Sequence, residues 1–158
     1  MLFNTTSDSL AIAALFALAL ATPLAPTSKF LTAPFAPGCQ PYDKCGTTTP
    51  QVVTDSSLAS PNADDCLQIA TWANSNNGIW DLGTGGNDEW TTLNIQGSCA
   101  VAVDNKARTN VGNVDVHDLV MDSFHLAGTR GGGMEYKGNF ACQGEVTVDW
   151  WLRISEGM

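Results

Sequence analysis

NVDVHDLVMDSFHLAGTRGGGMEYKGNFACQGEVTVDWWLRI, residues 113–154, carries two periodicities that together decide the fold. Val116, Leu119, Val120 and Phe124 fall at i, i+3, i+4 and i+8, a single apolar stripe along a helix. Asn113 or Asp115 can cap its start, and Gly128 is expected to stop it. Gly131-Gly132-Gly133 reads as a flexible turn. Beyond it the spacing becomes that of a strand. Val146, Val148, Trp150 and Leu152 alternate with Glu145, Thr147, Asp149, Trp151 and Arg153, so one face covers a core. Residues 134–142 and 145–154 are predicted to pair antiparallel about Gln143-Gly144.

Toward the N-terminus a second helix is predicted from Asn62 or Asp64 to about residue 74. Cys66, Ile69, Ala70 and Ala73 are its buried face, and the NSNNG run at 74–78 is its end. Residues 78–82, 90–95 and 99–103 read as strands, the last two joined by a short connection containing Gly97. Residues 104–112 read as a polar loop. The expected fold is α+β, with two helices packed on one face of an antiparallel sheet. Residues 22–50 contain six prolines, a density that opposes helix and central strand, so residues 22–44 read as an extended linker or pro-segment.

The first residues set the compartment. Residues 10–21, LAIAALFALALA, form an apolar run too short to span a bilayer but long enough for the core of a signal peptide. Ala19 and Ala21 offer small residues at a cleavage site, so residues 1–21 are expected to be removed and the protein exported. No further apolar run suits a transmembrane anchor, and the exported chain has no Asn-x-Ser/Thr sequon. In an exported protein Cys39, Cys45, Cys66, Cys99 and Cys142 read as a disulfide framework with one thiol left over. The residues alone leave the pairing open. A Cys66–Cys99 bridge would pin the first helix to the sheet.

Composition narrows the function. The 158 residues hold 16 acids against 7 bases, a formal charge of −9, which disfavours a nucleic-acid partner because phosphate contacts need clustered Lys and Arg. Asp115, Asp118 and Asp122 share a helix face and could meet a hard cation, but one helix supplies no closed oxygen cage. His117 and His125 lie eight apart, about 80° around the axis, unlike the i, i+4 pair that binds zinc. Ser123 and Asp122 lie nearby, yet no nucleophile elbow is present. Glu89, Glu135, Glu145 and Asp149 could supply two facing carboxylates for glycoside hydrolysis, a filter that many acidic β-rich proteins pass. The glycine runs at 83–86 and 131–133 lack the phosphate-loop pattern. No cofactor, no metal and no catalytic group are expected. Among five tryptophans, Trp150 should point inward and Trp151 outward, which makes Trp151 the candidate contact residue; Trp72, Trp80 and Trp90 read as core or sheet cover.

Several short elements follow one another in a recognisable order: Lys44-Cys45-Gly46 before Thr47-Thr48-Thr49, Ser60-Pro61 with Asp65-Cys66-Leu67, Trp80, Gly97-Ser98-Cys99-Ala100-Val101, Val111-Gly112-Asn113-Val114-Asp115-Val116, Lys137-Gly138-Asn139-Phe140-Ala141-Cys142, and Trp150. Together they make residues 44–152 resemble the necrosis-inducing factor family of fungal secreted effectors, named after extracellular protein two of the tomato leaf-mould fungus. Val52 and a longer insert at 83–89 depart from the family pattern. The resemblance implies an effector domain over residues 45–154. It makes Cys45, Cys66, Cys99 and Cys142 the family cysteines, with Cys66–Cys99 and Cys45–Cys142 the favoured pairs and Cys39 unpaired or an alternative. It supplies no catalytic residue; the helix and strand order is also similar to the α/β-sandwich of a virus-encoded fungal killer toxin, a likeness of fold that says little about target. The expected function is that of a secreted, monomeric, toxin-like virulence protein. It would bind a host protein, receptor or cell-surface component, or a competitor's, and induce plant cell death. The competing expectation is a secreted carbohydrate-binding module or a small carbohydrate-active hydrolase.

Overall fold

A computed structural model describes residues 31–53, 60–83, 90–104, 106, 108–130 and 134–155. Its elements, in chain order, are β1 (Leu31–Thr32), β2 (Phe35–Pro37), β3 (Gln51–Val52), α1 (Ala63–Ser75), β4 (Gly78–Asp81), β5 (Trp90–Gln96), β6 (Cys99–Asp104), β7 (Asn110–Gly112), α2 (Asn113–Arg130), β8 (Tyr136–Cys142) and β9 (Val146–Ile154). The apolar leader, the 84–87 loop and the triple-glycine turn lie outside the described residues.

The two periodicities of the C-terminal stretch become α2 and the β8–β9 pair. On β9 Val148, Trp150 and Leu152 are buried, while Thr147 and Asp149 are exposed. The main sheet has six strands in the order β1-β5-β6-β9-β8-β3. Its long pairs are antiparallel, but β1 joins β5 in parallel, so the sheet is mixed rather than antiparallel throughout. A second sheet, β2-β4-β7, is antiparallel and was not expected. Helix α1 packs on β5 and β6; α2 lies along α1 and reaches β4 and β7. Between them lie the fully buried Trp80, Trp150, Tyr136, Phe140, Ile69 and Leu119. Burying each such side chain contributes about 1.5–3 kcal/mol.

Three sequence expectations change. The stretch read as a linker over 22–44 forms β1 and β2 from residue 31 onward. Pro34 falls between the two strands, and Pro37 closes β2, which lies at a sheet edge where a missing N–H is tolerated. Phe35 of β2 closes an aromatic trio with Trp72 and Trp80, at centroid distances of 5.0 and 4.7 Å. The loop read over 104–112 contains β7, which pairs with β4. Helix α2 runs past Gly128 to Arg130, because glycine weakens a helix without ending it unless it turns left-handed.

Candidate functional site

Two clasps, each a cystine with an aspartate beside it, hold the body together. At the first, Asn62 caps α1, its Oδ1 accepting from the Asp64 N–H at 2.8 Å. The next turn carries Asp65 and Cys66. The Asp65 carboxylate accepts from both the backbone N–H and the hydroxyl of Ser98, each at 2.7 Å. Cys66 is bonded to Cys99 beside it. These bonds hold the Asp65 carboxyl below its usual range. Gly97 turns the β5–β6 hairpin with φ +51°, and a Cβ there would lie 2.5 Å from the Asp65 carboxylate.

At the second clasp Cys45 is bonded to Cys142, and the flanking backbone pairs through Gly46 N–H to Ala141 O and Gln143 N–H to Lys44 O. Asp115, in the first turn of α2, reaches back to accept from the Gly112 N–H at 2.6 Å, one half of a capping box. The same carboxylate accepts from the N–H groups of Cys45 and Lys44. Asn113 caps nothing; its side chain joins three segments instead. Its Oδ1 accepts from Tyr42 and Gly78, and its Nδ2 donates to Ala73 O. Asp115 is only 4% exposed. Burial pushes its carboxyl up to about 7, against the Gly112, Cys45 and Lys44 N–H bonds and with Asp43 adding to the rise.

Beside this clasp the 43–48 segment and α2 enclose a groove of about 500 Å³ lined by Asp43, Thr47, Thr48, Asp115, Asp118 and Asp122. The three helix acids of the sequence reading do meet here, but not as free equals. Asp115 is held by backbone, and Asp122 accepts from the Thr48 hydroxyl at 2.6 Å. Asp118 is raised, chiefly by partial burial, with Asp122 and Asp43 adding and His117 opposing. Among the described residues no three His, Cys, Asp or Glu side chains are grouped to hold a metal ion.

The face of the main sheet opposite α1 carries the aromatic surface. Trp151 lies in register with Ala102 on one side and Lys137 on the other. Strands β5 and β9 flank β6, two strand spacings or about 9.5 Å apart. The small Ala102 between them lets Trp90 and Trp151 meet at 5.7 Å, edge to face. The Trp151 indole N–H donates to Glu135 Oε1 at 3.2 Å, and the Lys137 ammonium lies 3.9 Å from the ring centroid. Arg153 stands 4.9 Å from the same ring. Trp151 is therefore outward, as its strand position predicts, but locked by its neighbours. Trp90, read from sequence as core or cover, lines an open cleft of about 230 Å³ with Gln51, Lys137, Asn139 and Asp149. The β-bulge between Thr92 and Asn94 hid this, because it breaks the alternation of β5 and places Trp90 and Ile95 on one face.

The other candidates are dispersed. Ser123 is buried and donates to Leu119 O, turned away from solvent. His117 Nδ1 bonds Ala70 O, and His125 is exposed against Phe124. Glu135 is buried under Trp151, Glu145 is in the β8–β9 turn, and Glu89 lies outside the described residues. Cys39 is a free, exposed thiol. Among the described residues no helix is long and apolar enough to cross a membrane.

Among curated proteins none matches the chain. The family model described as "Pathogen effector; putative necrosis-inducing factor" matches residues 44–142, more than half of the chain, from the strand segment at Cys45 to its partner Cys142. With both clasps inside the matched span, the chain belongs to this pathogen-effector family.

Proposed function

We propose that the protein is a secreted effector that works by docking on a host or competitor component in the apoplast or at the cell surface, and that it catalyses no reaction. One observation carries this reading. The matched motif residues are committed to holding the body together: Cys45, Cys66, Cys99 and Cys142 in cystines, and Asp65, Asn113 and Asp115 in hydrogen bonds to backbone. Export fits this chemistry, since cystines persist outside the reducing cytosol. A rigid, cross-linked body presents its surface at low ordering cost, which favours recognition.

The test is infiltration of the purified, oxidised protein into leaves of several plants, with a parallel growth assay on competing fungi. Local cell death or growth arrest is expected, and it should vanish when both cystines are replaced by serine. Silence in every plant and fungus would overturn the proposal.

A further inference from the structure

We infer that the cleft on the outer sheet face binds one ring of a neutral polysaccharide, with Trp90 as the stacking platform. This rests on the docking role and names what is docked. The argument starts with the platform. Trp90 is half-buried, and its ring is set by the edge-to-face contact with Trp151. Trp151 is itself fixed by the Glu135 hydrogen bond and the Lys137 ammonium. The aromatic surface is therefore ordered before any ligand arrives, which lowers the entropy cost of binding.

The polar groups around it complete the match. Asn139 is oriented by Thr49, whose hydroxyl donates to Oδ1 at 3.0 Å, so the amide N–H donors are left for a ligand. Asp149 is exposed and offers acceptors; Gln51 and Lys137 stand in register across β3 and β8 and offer donors. Gly138 lies under the cleft, where a Cβ would come within 2.4 Å of the Trp150 ring, so the floor is packed and rigid. A pyranose ring has an apolar C–H face and a rim of hydroxyls. The C–H face suits an indole, and the hydroxyls suit amide and carboxylate side chains.

Charge selects among ligands. Lys137 and Asp149 both line the cleft, so an anionic ligand meets a carboxylate and a cationic one meets an ammonium. A neutral polyol meets neither penalty. An apolar peptide side chain could use the indole but would leave several polar groups desolvated without partners, a cost of about 1–3 kcal/mol each. The volume of about 230 Å³ accommodates a single ring rather than a long oligomer.

The oxidised full chain is titrated with cellohexaose, laminarihexaose and chitohexaose, followed by the indole resonances in NMR and by calorimetry. At least one hexamer is expected to shift the Trp90 indole signal. Trp90→Ala should weaken that binding about tenfold or more, and the exposed Asp149→Ala about threefold, the latter with unchanged melting temperature. Asp118→Asn, in the acidic groove, should leave binding unchanged. Should Trp90→Ala fail to fold, the exposed pair Asn139→Ala and Asp149→Ala replaces it, again with weakening of about tenfold expected. No shift with any hexamer at about 5 mM overturns the inference, as does affinity kept within about twofold in the variants. A leaf or fungal response without saccharide binding overturns the cleft and leaves the effector reading standing. Saccharide binding without any such response does the reverse.

Discussion

The two clasps are built from the same parts, yet they respond oppositely to protons. Each is a cystine with an aspartate beside it that collects N–H or O–H bonds from the partner segment. Asp65 is half-buried and keeps enough hydration that the Ser98 bonds outweigh its desolvation and lower its proton affinity. Asp115 is buried between the 42–45 segment and α2, so loss of hydration outweighs three backbone donors and raises it. Hydrogen bonding by itself does not set the charge of a carboxylate; the water it keeps does.

The comparison is sharpened most by cutting each cystine. The Cys45–Cys142 bridge closes a separation of 97 residues and Cys66–Cys99 one of 33. Chain entropy then assigns them about 4.7 and about 3.7 kcal/mol. Urea unfolding of the double serine variants should rank them in that order; equal losses would mean that local packing, not loop closure, governs both. The glycines give the next contrast. A Cβ at Gly112 would lie 2.0 Å from the Tyr42 carbonyl oxygen, a backbone atom, whereas at Gly97 it meets the end of the Asp65 side chain. Gly112→Ala should cost about 3 kcal/mol and Gly97→Ala about 1 kcal/mol, read as the difference in unfolding free energy.

The pH profile is a subtler break. A carboxyl raised in the fold contributes stability that is fully present below its unfolded value of 3.8 and is lost as pH climbs through about 7. A lowered carboxyl contributes above 3.8 and loses that contribution as pH falls. Melting temperature should therefore peak in mildly acidic solution. Asp115→Asn should flatten the fall between about pH 4 and pH 7 while leaving the acid limb intact. Asp65→Asn should flatten the acid limb only, with the smallest effect of the set. A parent profile without a fall between about pH 4 and pH 7 would show that Asp115 keeps its charge at ordinary cost.

Much of the candidate surface was out of reach of sequence reasoning. The outward position of Trp151 follows from strand parity, and parity is local. Its locking by Glu135, Lys137 and Trp90 is not, since those residues come from a loop and two other chain segments. Asp115 looked like one of three solvated acids because its helix position said nothing about the segment that covers it. The bulge in β5 removed the parity signal that would have placed Trp90 outside.

By itself the sequence determined the helices α1 and α2, the β5–β6 and β8–β9 hairpins and the inward face of β9, because periodicity and turn residues act over a few positions. Only the tertiary structure decided that Pro-rich residues form edge strands, that β7 completes a second sheet, that Asp115 is buried and that Trp90 faces a cleft. The reason is physical: these outcomes depend on which distant segment removes water from a side chain or offers a backbone edge, and no local pattern encodes that partner.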